Sequence, residues 1–94
     1  MTKRRQTDLA TTAKVFKALG DPTRLKIVCF LKNGEKCVCD IFPHVALAQP
    51  TVSRHLKILT DCEILSVRRC GKNRFYSVNT PEVFEMIQQV DEWT

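Results

Sequence analysis

The stretch Ala48-Gln49-Pro50-Thr51-Val52-Ser53-Arg54-His55-Leu56-Lys57-Ile58-Leu59 constrains the fold most, because it reads as one helix with two different faces. At about 100° per residue, Val52, Leu56 and Leu59 fall on one stripe, while Arg54, Lys57 and Asp61 fall on another. Ser53 lies beside the polar stripe, and Gln49 and Thr51 stand at the helix start. The apolar stripe must be buried against other elements of the chain. The polar face is either a solvated surface or a reading surface. Amides, hydroxyls and an arginine near a helix N-terminus are the groups that reach base edges and phosphates in a DNA groove.

What flanks this helix favours the reading surface. Upstream, Glu35 to Ala46 predicts a shorter helical segment with Val38, Ile41, Phe42 and Val45 as its apolar stripe. Pro43 removes one backbone hydrogen bond if that helix starts at Val38 or Cys39, so it should be kinked or irregular. Leu47-Ala48 is a short connection. Helix, short turn and amphipathic helix form a helix-turn-helix pattern. Downstream, Asp61-Cys62-Glu63 reads as a turn, and Ile64–Arg69 and Arg74–Val78 as two strands. Cys70-Gly71-Lys72-Asn73 joins them, with Gly71 and Asn73 available for positive φ. Arg68, Arg69, Lys72 and Arg74 cluster on this hairpin. Such a hairpin reads as a wing for DNA backbone or minor groove, or as a solvated edge whose charges discourage edge pairing.

The remaining segments are helical. Asp8 to Leu19 carries Leu9, Ala13, Phe16 and Leu19 at helical spacing before a Gly20 stop, which suits either a dimer interface or packing within the subunit. Asp21 caps the next helix and Pro22 occupies its first position. Leu25, Val28, Cys29 and Leu31 are expected to face inward, and Asn33-Gly34 ends it. Thr80 is expected to cap a last helix from Pro81 to about Trp93, with Val83, Phe84, Ile87 and Val90 on its apolar face. All charges of that helix are acidic, which keeps it from DNA and suits a dimer contact with the first helix. Residues 1–7 read as a flexible basic tail. The expected fold is a single winged helix-turn-helix domain over 1–94, mainly α with a small β-hairpin.

Composition agrees with a polyanionic partner: 94 residues carry a net charge of +5 with a pI near 9.1. No apolar run spans a bilayer and no secretory signal follows the basic start, so the cytoplasm is the expected compartment and no membrane is involved. Five cysteines, an odd number, argue against a secreted disulfide framework. There is no Ser/His/Asp set, phosphate loop or paired carboxylate cleft to suggest an enzyme. Cys37 and Cys39, at i and i+2, would point to nearly opposite sides of a regular helix. They grip one atom only if Cys37 precedes the helix or the first turn opens, and their spacing alone leaves ligand and incidental roles both open.

Four stretches together resemble the ArsR/SmtB family of winged-helix repressors, covering roughly residues 9 to 90. Leu19-Gly20-Asp21-Pro22-Thr23-Arg24-Leu25-Lys26-Ile27 resembles its entry signature and Cys37-Val38-Cys39-Asp40-Ile41 its metal box of the arsenic-sensor type. Gln49 to Leu59 resembles its recognition helix and Arg69 to Tyr76 its wing. The resemblance implies a homodimeric repressor that binds an imperfectly palindromic double-stranded DNA operator and leaves it when an inducer binds. It needs no cofactor. Gln49, Thr51, Ser53, Arg54, His55 and Lys57, with Arg68, Arg69, Lys72 and Arg74 of the wing, become the DNA-binding candidates. Cys37 and Cys39 become ligands for As(III), Sb(III) or a soft divalent ion, with Cys29 as a possible third ligand. A thiol-redox or persulfide-responsive repressor is the alternative. Two departures stand out: Ala48 occupies a position often held by a capping Ser, and Phe42 stands where arsenic sensors of this type carry a third thiol.

Overall fold

The computed structural model describes residues 8–94; the expected flexible tail lies outside them. Five helices and three strands follow one another as α1 (Leu9–Leu19), α2 (Pro22–Phe30), β1 (Lys36–Cys37), α3 (Val38–Val45), α4 (Gln49–Asp61), β2 (Leu65–Cys70), β3 (Asn73–Val78) and α5 (Glu82–Trp93). The sheet is antiparallel in the order β1-β3-β2. The expected two-stranded hairpin therefore gains a third strand, in which Lys36 faces Tyr76 and Cys37 faces Phe75. No helix among the described residues is long and apolar enough to cross a membrane.

Local chemistry accounts for the helix boundaries. Asp8 caps α1 by accepting from the Ala10 and Thr11 N–H groups, and Asp21 caps α2 by accepting from the Arg24 N–H at 3.0 Å. α3 starts at Val38 and runs on through Pro43, so Cys37 lies outside it as the N-cap residue. Ala46 turns the chain toward α4 in the left-handed conformation, φ 56°, and its N–H donates to the Phe42 carbonyl. The end of α4 is a complete left-handed stop: the Glu63 N–H donates to Thr60, the Ile64 N–H to Leu59, and Glu63 sits at φ 65°. Ile64 and Leu59 are both buried there, so the two hydrogen bonds are backed by an apolar contact. α5 differs from expectation. Pro81 is its N-cap and already helical, and the Thr80 carbonyl rather than its hydroxyl accepts the Val83 N–H.

One core holds these elements together. Ile27, Val28, Ile41, Val52, Leu56, Leu59 and Leu65 are completely enclosed, and Leu31, Val45, Tyr76 and Val83 join them. Enclosing each large aliphatic side chain is worth about 1.5–3 kcal/mol. The inward stripe of α2 is centred on Ile27, Val28 and Leu31, which turns Cys29 outward instead of inward as expected. The whole apolar stripe of α4 is spent on this core, which fixes the direction of its opposite face.

Candidate nucleic-acid interface and thiol pair

α4 presents Gln49, Thr51, Arg54 and Lys57 on its exposed side, with Ser53 half-covered beside them. Ala48 begins the helix with no side-chain cap, so the first amides of α4 are left to other acceptors. Lys57 pairs with Asp61 one turn on, at 3.4 Å and largely in solvent, a contact that a phosphate can replace at little cost. His55 is different. Its side chain is only 16% exposed, with Nδ1 3.1 Å from a guanidinium nitrogen of Arg24 and 4.0 Å from the Asp21 carboxylate. The Arg24 backbone N–H and the Arg24 guanidinium charge hold the Asp21 carboxyl below its ordinary range.

The wing is closed by Gly71-Lys72, with Cys70 opposite Asn73. Gly71 takes the positive φ, 61°, at the first turn position, as in a type II′ turn, and Asn73 does not. The register sets Arg69 directly opposite Arg74. Like charges at such a pair repel, and a polyanion relieves them. Arg68 points to the other face, because strand side chains alternate. Its guanidinium lies 4.7 Å from the centre of the Phe75 ring and donates twice to Glu35, at 2.9 and 3.0 Å. Those bonds hold the Glu35 carboxyl below its ordinary value and raise that of Arg68. Of the four wing cations expected to meet DNA, Arg69, Lys72 and Arg74 are free of such a partner among the described residues, and Arg68 is paired with Glu35 at the surface. Glu35 carried no signal of this role in the sequence, because its partner lies 33 positions away.

The thiols of Cys37 and Cys39 meet. Cys37 is extended, φ −68° and ψ 144°, as the last residue of β1, while Cys39 sits in the first turn of α3. The Cα atoms are 5.1 Å apart and the sulfurs are joined as a disulfide. The Cys39 N–H also donates to the Cys37 sulfur at 3.2 Å, so this sulfur caps α3. Cys37 is buried and Cys39 exposed, which gives the pair one open side. Among the described residues no group of three His, Cys, Asp or Glu side chains is placed to hold an ion. Cys29, the possible third ligand, lines a groove between α2 and α5 with Phe84, Ile87 and Val90 and does not join the pair. Phe42 is half-buried against the core, and His44 stacks on Phe30 with ring centres 3.9 Å apart.

On the remaining side, α1 and α5 leave apolar surface uncovered. Leu9, Phe16, Val90 and Trp93 are 75%, 58%, 46% and 76% exposed. Phe16 and Val90 line one groove with Leu19, Leu25, Met86 and Ile87, so these side chains form a continuous patch.

An α3–α4 helix-turn-helix followed by a basic β-hairpin defines a winged-helix DNA-binding protein. The chain belongs to the bacterial regulatory protein family arsR, whose family model matches residues 21–67. It is 46% identical over 77 residues to a probable mercury resistance operon repressor of Streptomyces lividans, covering 82% of this chain and 62% of that protein. It is 42% identical over 65 residues to an arsenical resistance operon repressor of Staphylococcus xylosus, covering 69% of this chain and 62% of the other. The chain thus spans less than two thirds of either repressor. Among solved structures, the homodimeric winged helix-turn-helix DNA-binding domain of Mb0332 from Mycobacterium bovis, a possible ArsR-family regulator, superimposes with a TM-score of 0.82 at 28% identity. That match covers 96% of this chain and 91% of that one. These proteins are DNA-binding regulators and not enzymes.

Proposed function

We propose that the protein is a homodimeric cytoplasmic repressor whose hold on its operator is controlled by the Cys37/Cys39 pair. The α1–α5 patch joins two copies. The two α4 helices then enter successive major grooves of an imperfect palindrome with half-sites about 34 Å apart. Gln49, Thr51, Ser53 and Arg54 reach base edges, and Lys57, Arg69, Lys72 and Arg74 contact phosphates. The inducer is a trivalent arsenic or antimony species or a soft divalent ion, which thiolates favour.

The observation that carries this reading is the meeting of two sulfurs at the first turn of α3, the helix that leads directly into α4. A ligand that grips both sulfurs acts on that turn, and it releases DNA to the extent that it binds the DNA-incompetent shape more tightly. Two donors on one open side suit a species with two free positions, such as an organoarsenical, or an ion completed by a group from outside this protomer. The joined sulfurs also favour a second reading, in which two thiols give two electrons and two protons to an oxidant or persulfide.

A DNA-release titration tests both readings. The additions are arsenite, phenylarsenite, antimonite, Cd(II), Zn(II) and a persulfide donor, each on wild type, Cys37→Ser and Cys39→Ser. Release by a metalloid or soft ion that both substitutions abolish is the expected result. Release that survives both moves the sensor to another thiol. Release only by the persulfide donor or an oxidant, reversed by reductant, selects the redox reading.

A further inference from the structure

Arg24 ties three helices together. Its Nε donates to the Ala18 carbonyl at 2.6 Å, and one terminal nitrogen reaches the Lys17 carbonyl at 3.5 Å. Both carbonyls belong to the last turn of α1, whose acceptors have no partner within the helix. The other terminal nitrogen lies 3.1 Å from Nδ1 of His55, across to α4. A guanidinium has donors only, so this contact requires a lone pair on Nδ1. The imidazole is then neutral and carries its proton on Nε2. Asp21 does not reverse this choice, because it stands 4.0 Å from the ring and already accepts the Arg24 N–H at 3.0 Å. Nε2 has no hydrogen-bond partner among the described residues. His55 itself lies between Arg54 and Leu56, where the polar and apolar stripes of α4 meet.

We infer that Arg24 is a positioning residue for DNA recognition: its fork fixes His55 as a neutral imidazole whose Nε2–H donates to a DNA phosphate. The same side chain sets the angle of α4 against the end of α1. The inference rests on α4 being the reading helix and goes beyond that assignment, because it gives Arg24 a part in binding without contact to DNA.

The test uses the full chain and a duplex selected with it from a randomised pool. Ring-nitrogen NMR shifts report the His55 tautomer, thermal melts report folding, and fluorescence anisotropy reports affinity. In the wild type, His55 should be unprotonated on Nδ1 and protonated on Nε2. Arg24→Met should mix the tautomers and weaken binding by about tenfold, the size expected for losing one charge-assisted hydrogen bond. In a His55→Gln background, where an amide N–H replaces Nε2–H and needs no tautomer to be set, Arg24→Met should cost little further affinity. Equal losses in the two backgrounds would overturn the proposal, as would a wild-type His55 carrying its proton on Nδ1. The second result needs no variant, so it decides even if Arg24→Met fails to fold. Failure of the wild type to select any duplex would instead sink the assignment of α4.

Discussion

The face made by α4 and the wing leaves only Val67, and Leu47 in the turn before α4, as exposed large apolar side chains, whereas the face made by α1 and α5 leaves Leu9, Phe16, Val90 and Trp93 in solvent, with Leu9, Phe16 and Trp93 more than half exposed. On α4, Val52, Leu56 and Leu59 are all enclosed and the exposed residues, Pro50 apart, are polar or charged. On α5, Val83 alone is buried, and the charges beside the exposed apolar residues, Glu82, Glu85, Asp91 and Glu92, are all acidic. Both faces come from amphipathic helices of similar length. One is complete within the protomer and short of counter-charge; the other is short of apolar cover. The difference suits the two partners of the proposed function, a polyanion and a second copy of the chain, which would meet surfaces of opposite character.

The largest effect should come from breaking the apolar side. Phe16→Glu sets a charge in the middle of the α1–α5 patch. It should leave a monomer in sedimentation and lower operator affinity by about a hundredfold or more, since the second half-site no longer binds as part of the same particle. A dimer of unchanged operator affinity would show that another surface joins the copies. Next, Arg54→Ala should lose about 1–3 kcal/mol of discrimination between the selected duplex and one altered in a single half-site base pair. Dimer formation should not change.

Arg74→Ala should act more evenly. Affinity should fall alike on selected and random duplexes, and the slope of log affinity against log salt should shrink by about 1 per protomer. A change in sequence preference with an unchanged slope would place Arg74 at a base edge. The smallest effect concerns Glu35. Its carboxyl is held below its ordinary value of 4.5 by the Arg68 hydrogen bonds. The tie is therefore present at and above that value and is lost as the pH falls through the lowered one. The Arg68 Nε–H and Phe75 ring signals should stay constant from neutral pH down to the ordinary carboxylate range and shift only below it. Glu35→Gln should show the acid form at every pH.

Much of this division is legible along the chain, because it depends on local spacing. The stripe Val52, Leu56, Leu59 and the caps at Asp21 and Pro22 follow from helical periodicity and from the needs of a helix start. Gly71 marks the wing turn for a similar reason. What depends on distant partners is not legible. β1 is two residues long, too short to alternate, and exists only because Lys36 and Cys37 pair with β3. Arg68 looks like its neighbour Arg69 until Glu35 is brought beside it. Cys29 matches the composition of a core position, yet the burial of Ile27 and Val28 rotates it out. At the thiol pair, the condition set by the spacing, that Cys37 stand before the helix, is met by the strand that periodicity could not reveal.

The Cys37 sulfur has one further consequence, in the time domain. Because it accepts the Cys39 N–H, whatever takes hold of this sulfur competes with the bond that starts α3. The exchange of that single amide with solvent deuterium then becomes a clock for the state of the proposed sensor, slow while the sulfur caps the helix and faster once its lone pairs are engaged elsewhere. Such a clock runs in the free protein, with no operator present, and so it separates the chemistry of the thiols from the departure of DNA.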